Sequence, residues 1–219
     1  MSKEPKGRIP LDEVPVFPLP GVVLLPEQRL PLHIFEPRYR AMVRDTLEGH
    51  GHLAVARVPD GEPGDAPRFE RVVTLGRITT HQKLPDGRFN ILVEGVVRVA
   101  LDELPFAPPY RRARATLLGD ARSEMAEVAP HLRASLLSVM TLVMRQARAK
   151  QSRLDFEPPL DLPTPRLALR LVDRFVTAAA LRQSVLDAED TTLRVLRATS
   201  ALAEALAEPG AKLSAVGSG

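Results

Sequence analysis

The sequence of 219 residues contains no cysteine. This absence excludes disulfides, thiol nucleophiles and cysteine-ligated zinc or iron–sulfur clusters, and it fits a reducing compartment. No apolar run approaches the roughly 20 residues that span a bilayer. The first residues, MSKEPKGRIPLDE, also lack the apolar stretch of a signal peptide. We therefore expect a cytoplasmic protein that has no association with a membrane.

Motifs for catalysis and metal binding are missing as well. The sequence has no G-x-x-x-x-G-K-[ST] phosphate loop and no G-x-S-x-G motif. His33, His50 and His52 lack the H-x-x-x-H or H-E-x-x-H spacing of a helical metal site. The 30 basic and 27 acidic residues give a formal charge of +3, which does not predict a nucleic-acid-binding arm. We expect a protein without enzymatic activity, ATP binding, metal or cofactor.

Short strands dominate the first half of the chain. Between Val14 and Leu118 the β-rich runs are VPVF, GVVLL, RLPLHIF, HLAVARV, RVVTLGRITT, RFNILVEGVVRV and RRARATLL. Pro85-Asp86-Gly87 predicts a hairpin turn between two of them. One helix is expected from Pro37 to Gly49, with the carboxylate of Glu36 as its N-cap. The nearby Arg38 and Tyr39 are interpreted with Glu36 as a structural corner rather than as a catalytic group.

Helical periodicity replaces the strands after Gly119. The segments HLRASLLSVMTLVMRQARAKQ and RLALRLVDRFVTAAAL carry apolar stripes, and QSVLDAEDTTLRVLRATSALAEALAE predicts a short helix, a turn capped by Asp190 and a final helix. The expected organisation is a flexible tail over residues 1–12, a β domain over 13–119, a helical subdomain over 120–208 and a second flexible tail over 209–219.

A family resemblance lies in FPLPGVVLLPEQRLPLHIFEPRY, supported by Gly76 with Ile78, Gly95 with Arg98 and Pro109 with Tyr110. Over about residues 13–208 the chain resembles the amino-terminal, substrate-binding domain of the Lon protease family. The resemblance implies an α+β fold in which a PUA-like β-pseudobarrel carrying one helix is followed by an α-helical bundle subdomain. The sequence has no phosphate loop of the Lon ATPase, so we expect a free-standing copy without the ATPase and protease domains.

The same resemblance implies a module that binds unfolded or extended polypeptides through exposed apolar segments. A protease or chaperone that receives the bound client is a further expected partner. The prolines of the first segment fix corners, and we expect the run that follows Gly21 to leave residues for a partner. Together with the aromatic residue before the last strand, the candidate peptide-binding residues are Val22, Val23, Leu24, Leu25 and Tyr110.

An RNA-binding protein is the alternative hypothesis, because PUA-like folds include RNA-binding members. Its candidate phosphate contacts are Arg111, Arg112 and Arg114. The competing interpretation is an edge strand whose charges discourage sheet-to-sheet association, and it is favoured here. Nucleic acid is therefore not the expected partner.

Overall fold

The computed structural model of the chain describes residues 11–62, 67–119, 128–150 and 156–207. The chain divides into two compact units, the first ending at Leu118 and the second beginning at Gly119. All six strands of the described residues lie in the first unit, and the described elements of the second unit are helices. Both expected tails lie largely outside the described residues, apart from residues 11 and 12.

Six strands and one helix make up the described part of the first unit. They are β1 (Val14–Pro20), β2 (Arg29–Ile34), α1 (Pro37–Glu48), β3 (His52–Val58), β4 (Val72–Lys83), β5 (Phe89–Glu103) and β6 (Arg112–Leu117). Strand β1 is parallel to β3, and the other pairs, β1 with β6, β2 with β5, β3 with β4, β4 with β5 and β5 with β6, are antiparallel.

The long strand β5 closes these strands into a ring. Its first half, Phe89 to Glu94, pairs with β2, whereas its second half, Val99 to Glu103, pairs with β6. Because β6 also pairs with β1, the path β5-β4-β3-β1-β6 returns to β5 and leaves β2 outside the ring. The register of β4 against β5 shifts at Leu75/Gly76, which bends the strands as a bulge does. The expected α+β fold with a pseudobarrel and one helix is confirmed.

Alternate residues of β1 serve two separate apolar clusters, as a strand buried on both faces requires. Val14 and Val16 pack in one cluster with Val99 and Leu101. Phe17 packs in the other, which includes residues of α1 such as Met42 and Val43. The second cluster lies beside the groove described below.

The run Gly21 to Leu25 is not a strand, contrary to the sequence-based expectation. It is irregular, and the side chains of Leu24 and Leu25 are buried at 1% and 0% exposure. The following residues are fixed by backbone hydrogen bonds, since Glu27 N–H donates to the Gly95 carbonyl at 2.8 Å and Gly95 N–H donates to the Gln28 carbonyl at 2.9 Å. The run from Gly21 to Leu25, called the plug below, therefore buries its two leucines in the first unit without forming a strand, although its composition is typical of one.

The start of α1 also differs in detail from the expectation. Pro37 begins the helix and Glu36 occupies the N-cap position, but the Glu36 side chain makes no capping hydrogen bond. Its carboxylate instead accepts from Arg38, whose Nε lies 3.0 Å from Glu36 Oε2. The pair shows that Glu36 acts on the neighbouring side chain rather than on the helix terminus.

Four helices form the described part of the second unit. They are α2 (Pro130–Lys150), α3 (Thr164–Phe175), α4 (Ala179–Leu186) and α5 (Thr191–Ala207). Asp190 caps α5 as expected, because its Oδ1 accepts from the Leu193 N–H at 2.8 Å. The buried Arg182 donates to the carbonyl oxygens of Asp173 and Val176, which lie where α3 ends. In the part of the chain that the structure describes, no helix has the length and apolar character needed to cross a membrane.

Candidate functional site

A groove of about 540 Å³ opens on the first unit, and all its lining residues belong to that unit. Strand β1, the end of β2, the start of α1 and the connection between β5 and β6 all contribute to it. The apolar lining residues are Phe17, Pro18, Leu19, Pro20, Leu32, Ile34, Phe35, Tyr39, Val58, Pro67, Phe106, Pro109 and Tyr110, and the polar ones are His33, Glu36, Arg38, Glu103 and Arg111. Its size and lining are those of a binding cleft.

Two exposed phenylalanines distinguish this groove from ordinary protein surface. Phe35 is 61% exposed and Phe106 is 64% exposed, the highest values among the large hydrophobic side chains of the described residues. Phe35 follows β2, and Phe106 lies in the connection between β5 and β6. Single exposed apolar residues are common on proteins, but two aromatic rings lining one cleft point to a partner that covers them.

The floor of the groove is aromatic and firmly packed. The rings of Phe17 and Tyr39 have centroids 4.6 Å apart and are tilted by 54°. The Arg38 guanidinium carbon lies 4.6 Å from the centroid of the Tyr39 ring. Burial raises the pKa of Tyr39 above its ordinary value, and the positive charge of Arg38 partly opposes that shift. The Tyr39 hydroxyl therefore stays neutral and adds no charge to the floor.

Charges along the groove are paired with one another. Arg38 lies 2.9 Å from Glu36, and Arg111 contacts both carboxylate oxygens of Glu103, each at 2.6 Å. The Arg111 side chain also stacks over Phe69, with its guanidinium carbon 4.3 Å from the ring centroid. The two acidic and two basic side chains cancel, so the groove offers an apolar surface with little net charge.

Tyr110 connects the groove wall to α1. Its hydroxyl donates to Asp45 Oδ2 at 2.8 Å and accepts from Arg112 at 3.2 Å. Burial is the main reason why the pKa of Tyr110 is raised above its ordinary value. The ring is 3% exposed and packs in the same cluster as Phe17. Tyr110 thus forms part of the wall and has little surface left for direct contact.

His33 is the imidazole of the groove lining, and both of its ring nitrogens have partners. Arg88 can only donate, so the 3.2 Å contact from Arg88 makes His33 Nε2 an acceptor and places the proton on Nδ1. Nδ1 then donates to Asn90 Oδ1 at 2.7 Å. Within the described ranges, no group of three or more His, Cys, Asp or Glu side chains could hold a metal ion. The geometry favours binding of an apolar ligand over acid–base chemistry.

Comparison with known protein families decides the family of the chain. The family model described as the ATP-dependent protease La (LON) substrate-binding domain matches residues 13–204. The chain belongs to this family of Lon substrate-binding domains. The earlier resemblance, drawn from the proline-framed first segment, is confirmed.

Curated relatives of this Lon domain are full Lon proteases that are several times longer. Lon protease 2 of Syntrophobacter fumaroxidans is 27% identical over 203 residues, which cover 87% of this chain and 25% of that protein. Lon protease of Chloroflexus aurantiacus is 31% identical over 132 residues, which cover 59% of this chain and 15% of that protein. The chain therefore spans about a quarter or less of the length of these relatives.

Two solved structures share the fold. The Lon N-terminal domain protein from Xanthomonas campestris superposes with a TM-score of 0.65 at 20% identity, over 86% of this chain and 97% of that chain. The N-terminal domain of the Mycobacterium avium complex Lon protease superposes with a TM-score of 0.64 at 18% identity, over 88% and 99% of the two chains. At these identities the likeness establishes the fold.

The residues predicted from the sequence as peptide contacts fall into two groups in this Lon domain. Tyr110 lines the groove. The run Val22 to Leu25 does not line it, and Val23, Leu24 and Leu25 are at most 5% exposed. A binding role for these residues remains a prediction, and for the buried three the structure supplies a packing role.

Phe35 and Phe106 are not among the candidate residues predicted from the sequence. The run RLPLHIF predicts a strand that contains Phe35, but β2 ends one residue earlier at Ile34. Phe106 stands between prolines in LPFAPP, where a large aromatic residue has no periodic pattern to bury it. An aromatic residue in a proline-rich connection was the available signal, because such a segment does not form a strand or helix that could bury the ring.

Two of the three arginines considered for RNA binding already have carboxylate partners. Arg111 pairs with Glu103, and Arg112 lies 3.2 Å from Glu13. Arg114 is exposed on β6 opposite Asp102. A phosphate group would have to displace these carboxylates, so the arrangement favours the polypeptide hypothesis.

Proposed function

We propose that this Lon substrate-binding domain is a non-enzymatic module that binds unfolded or extended polypeptides in the groove defined above. The observation that supports this proposal is the pair of exposed phenylalanines, Phe35 and Phe106, in an apolar cleft whose charges neutralise each other. An unfolded client exposes apolar side chains, and covering these together with the two rings removes apolar surface from water on both partners. Binding by this route requires no nucleotide.

The biological role that fits such a module is to hold clients for proteolysis, as an adaptor or holdase that passes them to a protease or chaperone. Membership of the Lon substrate-binding family supports a role in recognition of protein substrates. The absence of cysteine suits the reducing cytoplasm, where we place this activity.

The test replaces both exposed rings and measures affinity for a permanently unfolded model protein. A variant carrying Phe35→Ser and Phe106→Ser should bind about tenfold more weakly or worse, equivalent to about 1.4 kcal/mol. Folding should be preserved, because substitutions of exposed side chains usually change stability by less than about 0.5 kcal/mol. Fluorescence anisotropy gives the affinity and circular dichroism reports the fold.

A matched control removes two exposed leucines from the helical unit. Leu142 and Leu196 are 46% and 45% exposed, and neither lines the groove. A Leu142→Ser, Leu196→Ser variant should bind the model protein like the unmodified chain. Equal loss of binding in both variants would mean that affinity depends on total surface hydrophobicity, and the groove would have no special role.

Salt dependence separates this proposal from the RNA-binding alternative. Contacts with phosphate release counterions and weaken steeply as salt rises, whereas apolar contacts do not. Binding of the unfolded protein should therefore change little between low and high salt. Tighter, strongly salt-dependent binding of single-stranded RNA, lost on Arg114→Ala, would favour the alternative.

A further inference from the structure

Strand β1 borders the groove and changes partners along its length. On one side it pairs with β3 from Val16 to Pro20. On the other side its register with β6 covers Val14 and Pro15. The groove is lined by Pro18 and Pro20, which lie beyond the part of β1 that β6 covers. Of the two prolines, Pro18 is buried and Pro20 is exposed, so this second edge of β1 opens toward the groove at Pro20, after the pairing with β6 has ended.

The direction of the backbone groups on this edge follows from one hydrogen bond. Val16 N–H donates to the carbonyl of Arg111, which precedes β6, at 2.9 Å. In a strand the backbone groups of residues two apart point to the same side. Pro18 and Pro20 therefore direct their carbonyl oxygens to the same edge as Val16. Neither proline has an N–H, so this edge can accept hydrogen bonds but cannot donate them.

We propose that a bound polypeptide lies extended along this edge and donates its own N–H groups to the carbonyl oxygens of Pro18 and Pro20. This inference rests on the proposed function and specifies its ligand. The ligand is an extended, uncharged segment that carries apolar side chains toward the groove and has amide hydrogens at two positions spaced two residues apart. A proline at either position of the ligand would abolish one of the bonds.

The missing N–H donors of Pro18 and Pro20 also explain how such an edge can remain without a paired strand. A regular added strand exchanges bonds in both directions, which makes exposed edges prone to association between identical chains. At Pro18 and Pro20 the edge only accepts hydrogen bonds. The carbonyl oxygens of the ligand that face this edge must therefore remain hydrogen-bonded to water. Recognition then depends on the apolar contacts with residues such as Phe35 and Phe106, and the complex stays reversible.

An amide-to-ester scan of a synthetic peptide tests this arrangement on the full chain. The probe is a blocked, fluorophore-labelled peptide in which Val and Ser alternate, with one central Phe to fix its register. Esters at two positions spaced two residues apart should each weaken binding about fivefold, since each removes one donor. Esters at the intervening positions should leave the affinity unchanged. A parent peptide that binds while every ester variant binds equally well would overturn the proposal and leave the groove function intact.

Restoring a donor to the edge gives an independent measurement. Pro20 is exposed, and Pro20→Ala adds an N–H on the same edge, so the parent peptide should bind about threefold to fivefold more tightly. The control is Pro31→Ala, an exposed proline of β2 that does not line the groove, and its affinity should equal that of the unmodified chain. Unchanged affinity in folded Pro20→Ala would contradict the assigned edge. A parent peptide that fails to bind at all would instead remove the proposed function.

Discussion

The Tyr110 hydroxyl donates a 2.8 Å hydrogen bond to Asp45 Oδ2, joining two residues that lie 65 positions apart in the chain. Asp45 belongs to α1, and Tyr110 comes shortly before β6. The bond therefore ties the connection that forms one wall of the groove to the helix beside the groove. Arg112 donates to the same hydroxyl oxygen, so the phenol acts as both donor and acceptor.

Removal of this hydroxyl should lower stability while keeping the ring. Tyr110→Phe leaves the buried ring in place but deprives Asp45 of this donor and leaves Arg112 with Glu13 alone, and we expect the free energy of unfolding to fall by about 1 to 2 kcal/mol. Urea unfolding measures the change. Tyr39→Phe is the matched control, because no hydrogen bond of the described residues uses the Tyr39 hydroxyl. An equal loss of unfolding free energy in both variants would show that the hydrogen bond to Asp45 adds no stability of its own.

Leu24 should behave as a core residue. It is 1% exposed and packs in the cluster that includes Phe17 and Tyr39. Leu24→Ala should therefore cost about 2 to 5 kcal/mol, the range for a buried leucine that leaves a cavity. Leu142→Ala, at a 46% exposed position, is the control and should change stability far less. If Leu24→Ala instead kept its stability and lost client binding, the peptide-contact role predicted from the sequence would be correct.

Local patterns were sufficient to predict most of the elements. The hairpin at Pro85-Asp86-Gly87 is confirmed, since Asp86 Oδ1 accepts from the Arg88 N–H and Gly87 has a φ of 81°. Turn chemistry of this kind depends on adjacent residues and is visible in the sequence. The helical stripes of the second unit are equally local, because they depend on spacings of three and four residues.

Features that depend on distant contacts were missed. The buried plug at Leu24 and Leu25 has the composition of a strand, but it packs against Gly95, which is 70 positions further along the chain than Leu25. The groove depends on rings at Phe35 and Phe106 that meet through the fold rather than through sequence spacing. A single sequence gives no measure of such long-range proximity, so the candidate contacts predicted from it were the apolar run Val22 to Leu25 together with Tyr110, and they did not include the two rings.

Acidification should destabilise the first unit through His50 and His52. Burial is the main cause that lowers the pKa of each imidazole below its ordinary value of 6.5, and the charge of His52 adds to the shift at His50. Both neutral rings are engaged: His50 Nδ1 accepts from the His52 N–H, and His52 Nδ1 contacts the His50 carbonyl. At a pH between the lowered pKa values and 6.5, the unfolded chain therefore binds protons at these two imidazoles that the folded state does not bind. This contribution to stability is complete above pH 6.5 and is lost as the pH falls through the lowered values.

The contribution of the two histidines is tested by measuring the free energy of unfolding at roughly pH 7.5 and 5.5. His52→Gln removes one of the two groups, so the loss of stability on acidification should be smaller than in the unmodified chain. His81→Gln, at an exposed position of β4, is the control and should keep the original pH dependence. A pH dependence that is identical in all three proteins would rule out the histidine pair as its source.

Gly95 should tolerate no side chain, because the backbone of the plug lies directly against it. A Cβ atom at Gly95 would clash with the carbonyl oxygen of Leu25, and a main-chain atom cannot rotate away as a side chain can. The same residue exchanges backbone hydrogen bonds with Glu27 and Gln28, so a shift of the plug would strain those as well. We expect Gly95→Ala to lower the free energy of unfolding by about 1 to 3 kcal/mol, the usual cost of overpacking.

The control for this substitution is Gly49→Ala at the end of α1. There the added Cβ would meet the Asp45 carbonyl oxygen at 3.1 Å, a tight contact that requires a shift of only tenths of an ångström. Its loss of stability should be clearly smaller than that of Gly95→Ala. Because the clash should displace the plug from Gly95, limited proteolysis of Gly95→Ala should show cleavage near residues 21–28 before the rest of the unit is cut. Unchanged stability together with an uncut plug would mean that the segment does not depend on its contact with Gly95.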